Sequence, residues 1–127
     1  MTEMSRPVGP VTESDVLTRH PDLLRVTPLV ELGSDKVDSI KAAKKNGIRS
    51  ALCVHSWDNL TNKGLIRILP DRVYVWNELQ RAEAVNYHGM EESRGVVARA
   101  CAYDHWFALE TTPTPASRTP LPRPPPP

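Results

Sequence analysis

The stretch that most constrains this chain is an apolar run over 48–54 that turns abruptly polar. Ile48, Ala51, Leu52, Cys53 and Val54 give way to His55-Ser56-Trp57-Asp58-Asn59-Leu60-Thr61-Asn62-Lys63-Gly64. A short apolar run of residues that suit a pleated surface predicts a buried strand. The polar cluster then falls at the strand's carboxyl end, the edge where open α/β sheets bind ligands. It is also longer than the usual joint of about 2–6 residues in such folds, so connection alone does not explain it.

The flanking segments fit a parallel sheet. Residues 23–30 carry Leu23, Leu24, Val26, Leu29 and Val30 and predict a strand, weakened near its end by Pro28, which cannot donate to a ladder. Glu31-Leu32-Gly33 turns the chain and Ser34 is suited to cap a helix. Asp35 and Asp38 at its start and Lys41, Lys44 and Lys45 at its end complement the helix dipole. Val37, Ile40, Ala43 and the stem of Lys44 mark its inner stripe, and the three lysines read as a solvated helix end. Asn46-Gly47 stops the helix, with Gly47 in the left-handed cap. Strand, helix and strand with short joints predict a βαβ unit with parallel strands and a right-handed crossover.

Residues 60–69 predict a short helix or turn beneath the polar cluster, and 72–76 a third strand alternating around Val73 and Val75. Asn77 caps a second helix, with Gln80 three residues on as in a capping box. Its apolar residues Leu79, Ala82 and Val85 are expected inward; Gln80, Arg81, Glu83 and Asn86 are expected outward. His88-Gly89 ends this helix, and 95–101 is a fourth, weaker strand. The predicted fold class is α/β, a partial Rossmann-like three-layer sandwich with a short parallel sheet. A mobile arm over 1–21 precedes the domain at 22–109, with a short helix over Val16 and Leu17 stopped by Pro21. A disordered, proline-rich tail follows over 110–127. Within it Pro120-Leu121-Pro122-Arg123-Pro124 resembles SH3-domain ligands.

With 127 residues and net charge +1, the chain suits one domain with one core and carries no electrostatic footprint for nucleic acid. No apolar stretch approaches the roughly 20 residues that span a bilayer. Cys53 and Cys101 both lie in apolar runs, where buried inert thiols are expected. The reading is cytoplasmic. His20, His88 and His105 are too scattered for a metal site, and no cofactor is expected.

Two polar groups follow two of the predicted strands: the His55–Gly64 cluster and Trp76-Asn77-Glu78. If the strands are neighbours, both groups open onto one edge. There Asp58 or Glu78 is placed to act as a general base for a hydroxyl, with His55 next in line because imidazole exchanges protons near neutrality. Trp57 and Trp76 suit stacking on a flat or sugar-like ligand. Lys63 suits a phosphate, and Gly64 allows close backbone approach. Ser56, Asn59, Thr61, Asn62 and Asn77 supply hydrogen bonds. The plainer readings stay open: Asn77 as a helix cap, Trp76 as core, Asp58 and Asn59 as turn formers.

Thr27-Pro28-Leu29-Val30-Glu31-Leu32-Gly33-Ser34, Ser56-Trp57-Asp58-Asn59-Leu60-Thr61-Asn62-Lys63-Gly64, Pro70-Asp71-Arg72-Val73-Tyr74-Val75-Trp76-Asn77-Glu78 and Ala84-Val85-Asn86-Tyr87-His88-Gly89 resemble a run in bacterial GT-B-like glycosyltransferases of surface carbohydrate biosynthesis. These are similar in architecture to CDP-glycerol glycerophosphotransferases. The resemblance spans about 22–107. It implies the acceptor-side, amino-terminal Rossmann-like domain of such an enzyme, working without a catalytic metal. The partners it implies are a nucleotide-activated sugar or polyol donor, bound mostly by a second domain, and a carbohydrate acceptor.

The departures bear on completeness. Little sequence precedes Asp22, Ala98-Arg99-Ala100-Cys101-Ala102 replaces an expected Thr-Gly turn, and the proline tail stands where a second domain is expected. The expectation is therefore a fragment of a glycosyltransferase-like protein, inactive alone. Its alternatives are a non-catalytic interaction module with a proline-rich tail, or a truncated gene product without function. Open sheet edges further suggest self-association.

Overall fold

The computed structural model describes residues 6–28 and 34–109. The proline-rich tail with its SH3-like motif, the end of the first expected strand and the 31–33 turn lie outside the described residues. In chain order the elements are α1 (Pro10–Arg19), β1 (Leu23–Val26), α2 (Lys36–Lys45), β2 (Arg49–Cys53), β3 (Arg72–Val75), α3 (Glu78–His88), β4 (Gly95–Val97) and α4 (Asp104–Ala108). The four strands form one sheet in the order β1-β2-β3-β4, and every pairing is parallel. The expected mixed α/β class with a short parallel sheet is what the chain forms.

Register fixes which side chains share a face. Leu24 pairs with Ser50, Val26 with Leu52, Leu52 with Val73, and Val75 with Val97. Side chains alternate along a strand. Val26, Leu52, Val54, Val73 and Val75 therefore point to one side, and all five belong to the buried core. The same cluster takes Val37 and Ile40 from α2, Ala84 from α3, and Leu60, Ile66 and Ile68 from the β2–β3 connection. Both helices and the long connection thus cover the same face. Ile40, Val73 and Val75 are fully buried there, and truncating Ile40 to alanine costs about 2–5 kcal/mol.

The opposite face carries Leu23, Arg25, Arg49, Ala51, Cys53, Arg72, Tyr74 and Val96 by the same alternation. Among the described residues no helix of α1–α3 covers it. The unit is a sheet with one helical layer, and the second helical layer of a three-layer sandwich is not among these residues.

Four local expectations change. The segment before the sheet forms a ten-residue helix, α1, with proline at its start, and Val16 is buried at 6% exposure. It packs on α2, where Lys45 Nζ meets Glu13 Oε1 at 2.6 Å, and its cap residue Gly9 lies against Asp38. The helix is longer than the short one expected over Val16 and Leu17, because proline at the first helical turn starts it earlier. The lysines of α2 are not all solvated: Lys41 is 4% exposed, 3.6 Å from Asp38, beside the docked α1. The cysteines are not buried, since Cys53 is half-buried and Cys101 exposed.

The fourth change concerns α3. Leu79 is 68% exposed, whereas Gln80 is 3% exposed and Ala84 fully buried. The inner stripe runs Gln80, Ala84, His88 at four-residue spacing, and of the three expected inward residues only Val85 packs against the core, at its edge. The reason is hydrogen bonding.

Candidate functional site

The rim at the carboxyl ends of β2 and β3 is assembled by three hydrogen bonds. Trp76 Nε1 donates to the Val54 carbonyl at 3.0 Å. Gln80 Nε2 donates to the Ser56 carbonyl at 3.2 Å, while Gln80 Oε1 accepts from the Trp76 backbone at 2.8 Å. The Trp76 corner and the polar loop are therefore tied together, as the parallel-strand reading requires. At the far end of α3, His88 Nδ1 accepts from Ile66 N at 3.0 Å, so Nε2 carries the hydrogen that meets the Leu60 carbonyl at 2.8 Å. Gln80 and His88 thus clamp both ends of the loop to one helix. That need turns the two polar residues inward ahead of Leu79, because a buried backbone group left unpaired costs about 1–3 kcal/mol.

Within the loop the candidate residues divide. Asn59 is buried, and its Oδ1 accepts from His55 N at 3.0 Å and Ser56 N at 2.9 Å. It shapes the turn. Thr61 Oγ1 donates to the Asp58 carbonyl at 3.2 Å. Gly64 has φ +123°, a conformation that excludes most side chains. Asn77 Oδ1 accepts from Gln80 N at 2.9 Å, so Asn77 is the helix cap. These four residues build the loop and its support.

Asp58, Trp57, Lys63, Asn62 and Ser56 form the chemical group. The Ser56 hydroxyl donates to Asp58 Oδ1, and Lys63 Nζ lies 3.8 Å from Asp58 Oδ2. The Ser56 hydrogen bond holds the Asp58 carboxyl below its usual range; burial opposes this, and Asn62 and Lys63 add to it. A carboxylate so stabilised is a weak base and a firm hydrogen-bond acceptor. Trp57 stands beside it, 73% exposed.

The other proposed acid–base residues sit differently. Glu78 Oε2 pairs with an Arg81 terminal nitrogen at 2.7 Å, and the same nitrogen lies 3.4 Å from Glu92. This engages Glu78 on the outer side of α3, toward Glu92. His55 is exposed, and its side chain makes no hydrogen bond among the described residues.

A second feature was not anticipated. On the side of the sheet opposite α2 and α3 lies a cavity of about 470 Å³ at the same carboxyl edge. Arg25, Cys53, Tyr74, Trp76, Arg99 and Cys101 are among the residues lining it. Of the predicted site residues, Trp76 alone lines this cavity, its ring edge-on to Tyr103 at 5.6 Å. The signal available in sequence was strand parity, which places Arg25, Cys53 and Tyr74 on one face.

No protein-family model matches the chain, nor does any curated protein or solved structure. Among the described residues there is no cluster of three metal-ligating side chains, and no helix is long and apolar enough to cross a membrane.

Proposed function

We propose that this chain is the acceptor-side domain of a transferase that moves a glycosyl or glycerophosphoryl group from a nucleotide-activated donor to a carbohydrate hydroxyl. The acceptor is held on the 55–64 loop. The observation that carries this reading is the ionised Asp58 carboxylate beside the exposed Trp57 indole. Charge-assisted hydrogen bonds from sugar hydroxyls to a fixed carboxylate are strong and directional. An indole with one apolar face suits the C–H face of a pyranose ring. Lys63 adds a cation within reach of a phosphate on the acceptor. In a complete enzyme His55 is the remaining candidate to take the hydroxyl proton.

The same carboxylate favours a second reading, a carbohydrate-binding module without catalysis, because a group that releases its proton readily activates a hydroxyl poorly. Titrating the full chain with a panel of mono- and oligosaccharides and nucleotide sugars, with thermal unfolding as readout, tests binding. A ligand at about 100 times its dissociation constant raises stability by about 2.7 kcal/mol. That shift disappears in Trp57→Ala and Asp58→Asn if the loop is the site. No shift with any sugar, or one that survives both substitutions, overturns the assignment. Turnover of a bound nucleotide sugar separates the transferase from the module.

A further inference from the structure

We infer that the cavity on the bare side of the sheet binds a small phosphorylated molecule with a flat ring, of the nucleotide class. This site is separate from the 55–64 loop and does not rest on the carbohydrate reading. Its volume, about 470 Å³, falls in the range of small-molecule sites. It runs along the sheet face from Leu23 at the start of β1 to Trp76 and Ala98, just past the carboxyl ends of β3 and β4, and that end is where α/β sheets take their ligands.

The lining decides the chemistry. Arg25 reaches it from β1 and Arg99 from the segment after β4, the two flanks of the sheet. No acidic side chain lines the cavity. Neither guanidinium has a hydrogen bond or ion pair among the described residues. Planar guanidinium groups without partners match phosphate oxygens. The floor between the flanks is Leu23, Ala51 and Cys53, with the Tyr74 and Trp76 rings beside it. The floor is apolar and partly aromatic, so it favours a flat ring over a bare ion.

The backbone supports the placement of Arg99. After Val97 the Ala98 N–H still donates to the Val75 carbonyl at 2.8 Å, and the chain then turns through Arg99 at φ +62°. Such a conformation is uncommon outside glycine, and residues held in it concentrate at functional sites. Here the turn carries Arg99 and Cys101 over the open face.

The test uses the full chain, with ADP as the probe and adenosine and inorganic pyrophosphate as its two halves. Binding is measured by calorimetry. Protection of the thiols from N-ethylmaleimide reports occupancy, since the chain's two cysteines, Cys53 and Cys101, both line the cavity. The expected result is saturable ADP binding that slows alkylation, with adenosine and pyrophosphate each weaker by about tenfold or more. Arg25→Gln and Arg99→Gln, both at exposed positions, each weaken ADP by about tenfold and leave unfolding temperature unchanged. Trp57→Ala and Asp58→Asn leave ADP binding unchanged, which separates this site from the carbohydrate loop. Absence of ADP binding, adenosine binding as tightly as ADP, or full affinity in the Arg25→Gln/Arg99→Gln double variant overturns the inference.

Discussion

Gln80 Nε2 donates to the carbonyl oxygen of Ser56 across 24 positions of sequence, at 3.2 Å. The same side chain accepts from Trp76 N. One amide therefore fixes the loop after β2 to the corner after β3. Gln80→Leu keeps the volume and removes both bonds. The expected cost is about 1–3 kcal/mol, because two buried backbone groups lose their partners. Thermal unfolding measures it, and amide exchange over 55–59 is expected to speed up more than exchange in β2.

His88 supplies the second clamp. His88→Phe retains a ring and loses the partners of Leu60 O and Ile66 N. If the hydrogen bonds are what matter, Phe and Ala at this position destabilise by similar amounts, about 1–3 kcal/mol. Stability restored by Phe in urea unfolding shows that packing alone sufficed.

Asp71 links the amino end of β3 to β2. Burial pushes its carboxyl up, but the bonds from Ser50 N at 2.7 Å and Ser50 Oγ at 2.9 Å outweigh this, and Lys44 and Arg94 add to them, so the net direction is down. A carboxyl lowered by folding adds stability that is complete above its unfolded value, about pH 4, and lost as pH falls through the folded value. The chain is expected to lose stability below about pH 4. Asp71→Asn, less stable at neutral pH, is expected to show a shallower loss over that range in pH-dependent denaturation.

The docking of α1 rests on Val16 more than on charge. Val16→Ala removes two buried methyl-sized groups and is expected to cost about 1.6 kcal/mol. Glu13→Gln breaks the ion pair with Lys45, whose side chain is 64% exposed, and is expected to cost about 0–1 kcal/mol, less at high salt. Limited proteolysis reads the difference: cleavage after Arg19 is expected to accelerate in Val16→Ala only.

Strand positions and parallel pairing were legible in the sequence, because 48–54 is largely apolar and 72–75 alternates around Val73 and Val75, patterns whose burial needs no partner chemistry. The Asn77 cap and the Gln80 position of the capping box were legible too, since both follow from short-range backbone geometry. The facing of α3 was not. An apolar count sends Leu79 inward, while the fold sends Gln80 and His88 there to satisfy Ser56, Leu60 and Ile66, residues more than 20 positions away. Local pattern cannot register a demand set by a distant carbonyl. The cavity escaped for a related reason. Arg25 and Arg99 are 74 positions apart in the chain, and only the completed sheet brings both to one cavity. At the rim itself, Trp57, Asp58 and Lys63 stand together as their sequence density suggested, whereas Asn59 and Asn77 have the plainer roles that were also open.

Doubly wound sheets owe their crevice to a reversal of strand order. Among the described residues the strands wind in a single sense, β1 through β4, without a reversal. The hollow beneath Arg99 arises where the winding stops and the backbone doubles back across the uncovered side. Its shape is therefore set by the segment that follows β4. Lengthening or shortening the 99–103 segment changes the recess while leaving the strand pairing in place.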